Sequence, residues 1–180
     1  MRRTIILLSL LALIGPFTLP GAAGSPAEAL FSRLEKILPE GFSRPTPPQI
    51  YGTADNRLKD GSIFDYMDGG GVAWIEHGYR EMFHAEYAGK NGLAVTLDVF
   101  AMETADKARA ALADERICPA GGAAAPFAPG GRVFRFPPDY YTYFPVKRLI
   151  VYLHVNDDRQ GALLDRFAAD VRNMVEEESE

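Results

Sequence analysis

The sequence has one cysteine, Cys118, in 180 residues. A lone cysteine forms no internal bridge, which excludes a disulfide-stapled scaffold. Its simplest role is a small buried side chain at a helix end before Pro119. An intermolecular disulfide or a reactive thiol are the functional alternatives, and no basic neighbour in sequence argues for a lowered thiol pKa. Histidine is also scarce, with three in all. No H-x-x-x-H, H-E-x-x-H or C-x-x-C spacing marks a metal site, so metal binding stays open and no cofactor is expected. No Gly-x-Ser-x-Gly elbow supplies a nucleophile. Basic residues number 19 against 24 acidic, a net charge of −5. That balance argues against nucleic acid as a partner, which rewards a basic face.

Long apolar runs are missing too. The longest, Ile5 to Ile14, falls short of the roughly 20 residues a membrane span needs. It follows Arg2 and Arg3, is broken by Gly15-Pro16, and leads to small residues at Gly21–Gly24. That order reads as a cleavable secretory signal peptide over residues 1–23, with residues 24–180 forming one domain. The expected location is the periplasm or the exterior, with no stable membrane span after cleavage. Losing the two leader arginines leaves 17 basic residues against 24 acidic, a mature charge of −7. The remaining length suits one domain with a real hydrophobic core.

The stretch from Ser62 to Tyr79 carries the densest information. Phe64, Met67, Gly71 and Trp74 recur at helical spacing and would line one side of a helix. The glycines at 69, 70 and 71 each cost about 1 kcal/mol in a helix interior relative to alanine. Two reasons could offset that cost. The helix packs closely on a sheet, which is the commoner case, or it breaks at Asp68-Gly69 and frees backbone N–H groups for a ligand. Asp65 and Asp68 read as a cap and a buried hydrogen-bonding carboxylate rather than a metal pair.

Phe64, Tyr66, Asp68, Gly69 and Gly70 form an aromatic-x-Tyr-x-Asp-Gly-Gly segment. Trp74, Glu76, the Gly78-Tyr79 pair and a strand ending in Glu86-Tyr87 follow it. This pattern resembles a family of uncharacterised bacterial exported domains, a domain of unknown function. The likeness extends through Val95–Met102 and the helix near Thr104. It implies an extracytoplasmic α+β domain and assigns no catalytic residue.

Upstream, Ser25, Pro26 and Glu28 form a capping box. Leu30, Phe31, Leu34, Ile37 and Leu38 give the first helix its buried face, and Pro39 and Gly41 end it. Tyr51-Gly52-Thr53 is a candidate short strand, and Asp60-Gly61 a turn. Downstream, Tyr79–Ala88 and Leu93–Met102 are strands. A two-residue Asn91-Gly92 turn would mix polar with apolar on both faces. A three-residue Lys90-Asn91-Gly92 loop, with Gly92 left-handed, segregates them. It pairs Tyr87 with Val95, Ala85 with Leu97 and Phe83 with Val99 on one face. On the other it pairs Glu86 with Thr96, His84 with Asp98 and Met82 with Phe100.

Thr104 caps a helix to about Ile117. Residues 119–131 read as a Gly/Pro/Ala-rich surface insertion, with a flap over a site as the alternative. Strands follow at Arg132–Phe136, Tyr140–Phe144 and Lys147–Val155, with turns at Pro137-Pro138-Asp139 and at Pro145. The last helix buries Leu163, Phe167, Val171 and Met174. The fold expected is α+β: an antiparallel sheet of four to five strands, helices mainly on one face, in a two-layer sandwich.

That arrangement leaves His84, Glu86, Asp98, Tyr152 and His154 on the second sheet face. His84 and Asp98 are the candidate catalytic pair, a base with its orienting carboxylate. Thr96 is the only hydroxyl expected nearby. The plain alternative is an ion pair that keeps an exposed face soluble, worth roughly 0.2–1 kcal/mol. Glu86, Tyr141, Tyr152 and His154 are the candidate ligand-binding residues. Tyrosines beside Arg132, Arg135, Lys147 and Arg148 suit a recognition surface and are also ordinary strand formers. Tyr66, Asp68, Gly69, Gly70 and Trp74 are the motif residues. The sequence thus points to an exported, non-catalytic binding module of the cell envelope. Its partner would be a small ligand, a glycan or an envelope protein. A hydrolase or metal-dependent enzyme using His84 and Asp98 is the alternative.

Overall fold

The computed structural model describes residues 26–177. The expected leader and the Ser25 cap lie outside these residues. One antiparallel sheet of seven strands organises the chain, in the order β1-β2-β3-β7-β6-β5-β4. The strands are β1 Gln49–Tyr51, β2 Tyr79–Ala88, β3 Ala94–Met102, β4 Ala123–Ala124, β5 Arg132–Phe136, β6 Asp139–Val146 and β7 Leu149–Val155. The helices are α1 Pro26–Leu34, α2 Ile63–Met67, α3 Gly71–Glu76, α4 Ala105–Ala113 and α5 Gly161–Glu177. The strand count exceeds the expected four to five because β1 and β4 are edge strands of three and two residues. Segments that short carry no readable alternation.

The β2–β3 register is the segregated one. Tyr87 faces Val95, Ala85 faces Leu97 and His84 faces Asp98. Gly92 takes a left-handed φ of 76°, and the Gly89 N–H closes the loop on the Leu93 carbonyl at 2.8 Å. Period-two alternation then assigns the strand residues to faces, except at the bulge between Tyr79 and Glu81 in β2.

The first face is aliphatic. Val99, Leu97, Leu153, Val151 and Phe144 are fully buried there beneath α1 and α5, whose Leu30, Phe31, Leu34, Leu164 and Phe167 meet them. The second face carries Met82, Phe100, Ile150 and Phe134 and is partly covered by α2, α3 and α4 through Ile63, Trp74, Ala108 and Leu112. Helices therefore lie against both faces, which corrects the expected two-layer sandwich. The reason is the sheet itself: its second face holds enough apolar side chains to need its own cover.

Five local expectations change. Helix α1 stops at Leu34, and Leu38 is exposed. Helix α4 ends at Ala113, where Asp114 caps it, rather than reaching Ile117. Pro145 lies inside β6 opposite Ile150, and the turn is Lys147-Arg148. There β6 has run past the last β5 pair, Arg132 with Tyr143, so a missing N–H breaks no ladder on that side. Helix α5 buries Leu164, Phe167, Ala168, Val171 and Val175, while Leu163 and Met174 only flank the core. Residues 119–131 are more than an insertion: β4 pairs with β5, and Ala125 and Ala128 are buried.

Candidate functional site

The motif segment is broken. Asp68 leaves α2 with φ 46° and ψ −131°, and a single 3-10 turn, Asp68–Gly70, leads into α3. Gly71 explains why the chain can turn so tightly: a Cβ there would meet Ile63 and Phe64 at 3.1 Å. Gly69 and Gly70 are exposed, and a Cβ on Gly69 would meet nothing. So one glycine serves close packing and the other two accompany the break. Asp68 is exposed, which corrects its expected burial. Asp65 is a capping residue, accepting from the Ser62 N–H and hydroxyl at 2.8 Å each. The Ser62 amide, its hydroxyl and Arg57 hold the Asp65 carboxyl down to about 2. Trp74 is buried and stacks on Phe100 with ring centroids 3.7 Å apart, so its role is packing.

Helix α2 aims Tyr66 down at the sheet. Its hydroxyl donates to Asp98 Oδ2 at 2.8 Å, and its ring lies 4.8 Å from the His84 ring. Asp98 Oδ1 meets His84 Nδ1 at 2.7 Å. His84 and Asp98 are 8% and 3% exposed. The pair is therefore buried under α2 and is not the exposed, solubilising pair that the sequence also allowed. Each Asp98 oxygen has a partner, as a buried carboxylate requires. Burial alone would lower the His84 pKa. The Asp98 hydrogen bond and charge, with Glu86, outweigh it, and the net shift is upward. Burial, then the Asp98 charge and hydrogen bond, push the Tyr66 phenol far above its ordinary value.

One row of side chains crosses six strands on this face. It runs Gln49, His84, Asp98, Tyr152, Tyr143, Arg132. The next row runs Glu86, Thr96, His154, Tyr141, Phe134. Tyr143 and Tyr152 rings lie 4.7 Å apart, and Tyr141 stands 6.1 Å from both. Phe134 and Phe136 stack beside Tyr141, at 5.1 and 5.9 Å. Tyr141, Tyr143 and Tyr152 stay half-buried, and Phe136 is 55% exposed.

The expected site residues thus separate into two groups. His84, Asp98 and Tyr152 meet in one row. Glu86 is exposed, with Oε1 4.0 Å from His84 Nε2. His154 sits one row away and is held by Asp139, Nε2 to Oδ1 at 2.7 Å, so its ring is already engaged. Tyr66 as a partner of Asp98, and Tyr143 as a neighbour of Tyr152, were missed. The second was recoverable from strand register. The first depends on how α2 sits over the sheet.

Chemically, each Asp98 oxygen is engaged and His84 Nδ1 is committed to Asp98. His84 Nε2 is the remaining polar position, a donor or acceptor according to charge. Among the described residues, His84 hydrogen-bonds no hydroxyl or thiol. Nor do three His, Cys, Asp or Glu side chains converge to hold a metal ion there.

The fold and site define an α+β protein with one antiparallel sheet and an aromatic, hydrogen-bonded face. No known protein family and no curated protein matches the chain. Among solved structures it is similar to the extracellular domain of PknH from Mycobacterium tuberculosis. The two are 12% identical, the match covers 82% of this chain and 91% of that one, and the TM-score is 0.42. Among the described residues no helix is long and apolar enough to cross a membrane.

Proposed function

We propose that this protein is an exported, non-catalytic binding module of the cell envelope, and that Tyr141, Tyr143 and Tyr152 form its recognition surface. Export is supported by the arginine-led apolar segment and small-residue cleavage region at the N-terminus. The observation that carries the binding reading is the contrast within the second face. Its charged centre is closed on itself, with both Asp98 oxygens taken by His84 and Tyr66. The tyrosines beside it keep part of their rings in solvent. Phenol rings with a polar tip suit stacking plus hydrogen bonding, and are favoured where partners meet. The partner is an envelope component, a glycan or a protein segment, that lies across these rings.

The test is native mass spectrometry of protein recovered from the export compartment, before any chelator is added. A retained partner or ligand that survives His84→Ala but is lost in Tyr141→Ala and Tyr152→Ala supports the reading. Bare protein in every case overturns it. The 2.7 Å contact of His84 with Asp98 favours a second reading, an enzyme using this pair as base and orienter. A metal-sized mass increment lost in folded His84→Ala, or hydrolytic activity lost in folded Asp98→Ala, would favour that reading instead. The lightest mature mass also locates the leader cleavage, expected near residue 23.

A further inference from the structure

Beside the sheet face, the end of α4, the loop before β5 and the β6–β7 turn enclose an open cavity of about 450 Å3. We propose that this cavity binds a small organic carboxylate with an apolar body, its carboxylate held by Arg132. The cavity borders the proposed tyrosine surface at Tyr143, and its anchoring residue, Arg132, is not one of those tyrosines.

Charge is the first argument. Three lining residues are cationic, Arg109, Arg132 and Lys147, and none of the lining residues is acidic. This occurs in a chain whose net charge is −5. Arg109 already pairs with Asp106 at the rim. Arg132 is half-buried and, among the described residues, has no carboxylate partner. The Cys118 thiol lies within hydrogen-bonding reach of its side chain. Burial raises the Cys118 pKa against the pull of Arg132, so the thiol stays neutral and does not serve as counter-ion. A half-buried guanidinium with no counter-ion is an anion site, because its planar donors match a carboxylate.

Backbone conformation is the second argument. Val146 pairs with Leu149, so Lys147-Arg148 is a two-residue turn. Lys147 opens it with φ 53°, a conformation glycine adopts without penalty and lysine does not. A side chain kept at an unfavourable φ points to a role for that side chain, and Lys147 lines the cavity.

Shape is the third. Leu112, Pro145 and the Tyr143 ring supply apolar wall around the cations. Inorganic phosphate would leave that wall wet. A carboxylate carrying an alkyl or aryl group covers it, and the volume falls in the range of small-molecule pockets.

Isothermal titration calorimetry of the full mature protein tests this with octanoate, octylamine and inorganic phosphate. Octanoate should bind at least about tenfold more tightly than either of the others, and Arg132→Gln should weaken it about tenfold. Lys147→Gly, which relaxes the turn, should weaken it several-fold while the protein stays folded. Equal binding of octanoate and octylamine overturns the proposal, as does unchanged octanoate affinity in folded Arg132→Gln. Phosphate binding as tightly as octanoate overturns the apolar part. Should Arg132→Gln fail to fold, unchanged affinity in Lys147→Gly is decisive against it.

Discussion

The two faces of one sheet obey different rules. Under α1 and α5 the first face is built mainly from Leu, Val and Phe, and its buried polar side-chain groups are the uncharged hydroxyls of Tyr87, Tyr140 and Thr142. Under α2 the second face buries a carboxylate and an imidazole, and toward β6 and β5 it leaves tyrosines half in solvent. The first face holds by area and close packing. The second holds only while its hydrogen bonds are complete, since a buried charge left unpaired is costly. A face that carries this obligation and stays partly open is the one on which to look for function.

The comparison breaks most visibly on the aliphatic face. Leu153→Ala, at the fully buried centre of β7, should cost about 2–5 kcal/mol in urea unfolding and leave any ligand affinity of the folded protein unchanged. On the second face, Asp98→Ala should cost about 2–3 kcal/mol, because it orphans His84 Nδ1 and the Tyr66 hydroxyl together. Asp98→Asn should recover part of the loss. Tyr66→Phe removes one of the two bonds and keeps the ring on His84, so about 1 kcal/mol is expected. A smaller loss for Asp98→Ala than for Tyr66→Phe would mean that the Asp98 hydrogen bonds do not hold α2 on the sheet.

Much of this asymmetry was legible before any coordinates. Segregating the β2–β3 residues by polarity selected the three-residue loop, and with it the Tyr87–Val95 and His84–Asp98 pairs, because a one-residue slip flips every side chain. The alternation of β7 likewise separated Leu153 from Tyr152. Three kinds of feature were not legible. Edge strands β1 and β4 are too short to show a period. Pro145 looks like a stop, and is tolerated because β6 outruns β5 there. The engagement of Tyr66 with Asp98 is a tertiary contact between α2 and β3, which no helical pattern reveals. The turn at Asp68, a non-glycine residue at positive φ, exposes that residue's side chain. Apolar periodicity reports which side faces a core, and it is silent about which polar group of another element a side chain there will meet.

The smallest effect is the most diagnostic, because it turns on one proton. The folded pKa of His84 lies above its ordinary value of 6.5. The protonated form is therefore favoured by folding. The stabilisation it brings is fully present below about pH 6.5 and is lost as pH rises through the folded pKa. Urea unfolding of the wild type should accordingly show stability declining with pH above 6.5, by more than in His84→Gln. Ring-resonance titration by NMR should place the His84 midpoint above 6.5. Asp98→Asn sets the sign against itself: the hydrogen-bonded carboxylate charge is gone, burial remains, and only the more distant Glu86 still favours the imidazolium. The midpoint should then drop, and the stability slope should flatten or reverse. A midpoint that stays put in Asp98→Asn would show that the 2.7 Å contact does not set the charge of His84, and the closed, self-satisfied centre that distinguishes this face would lose its physical basis.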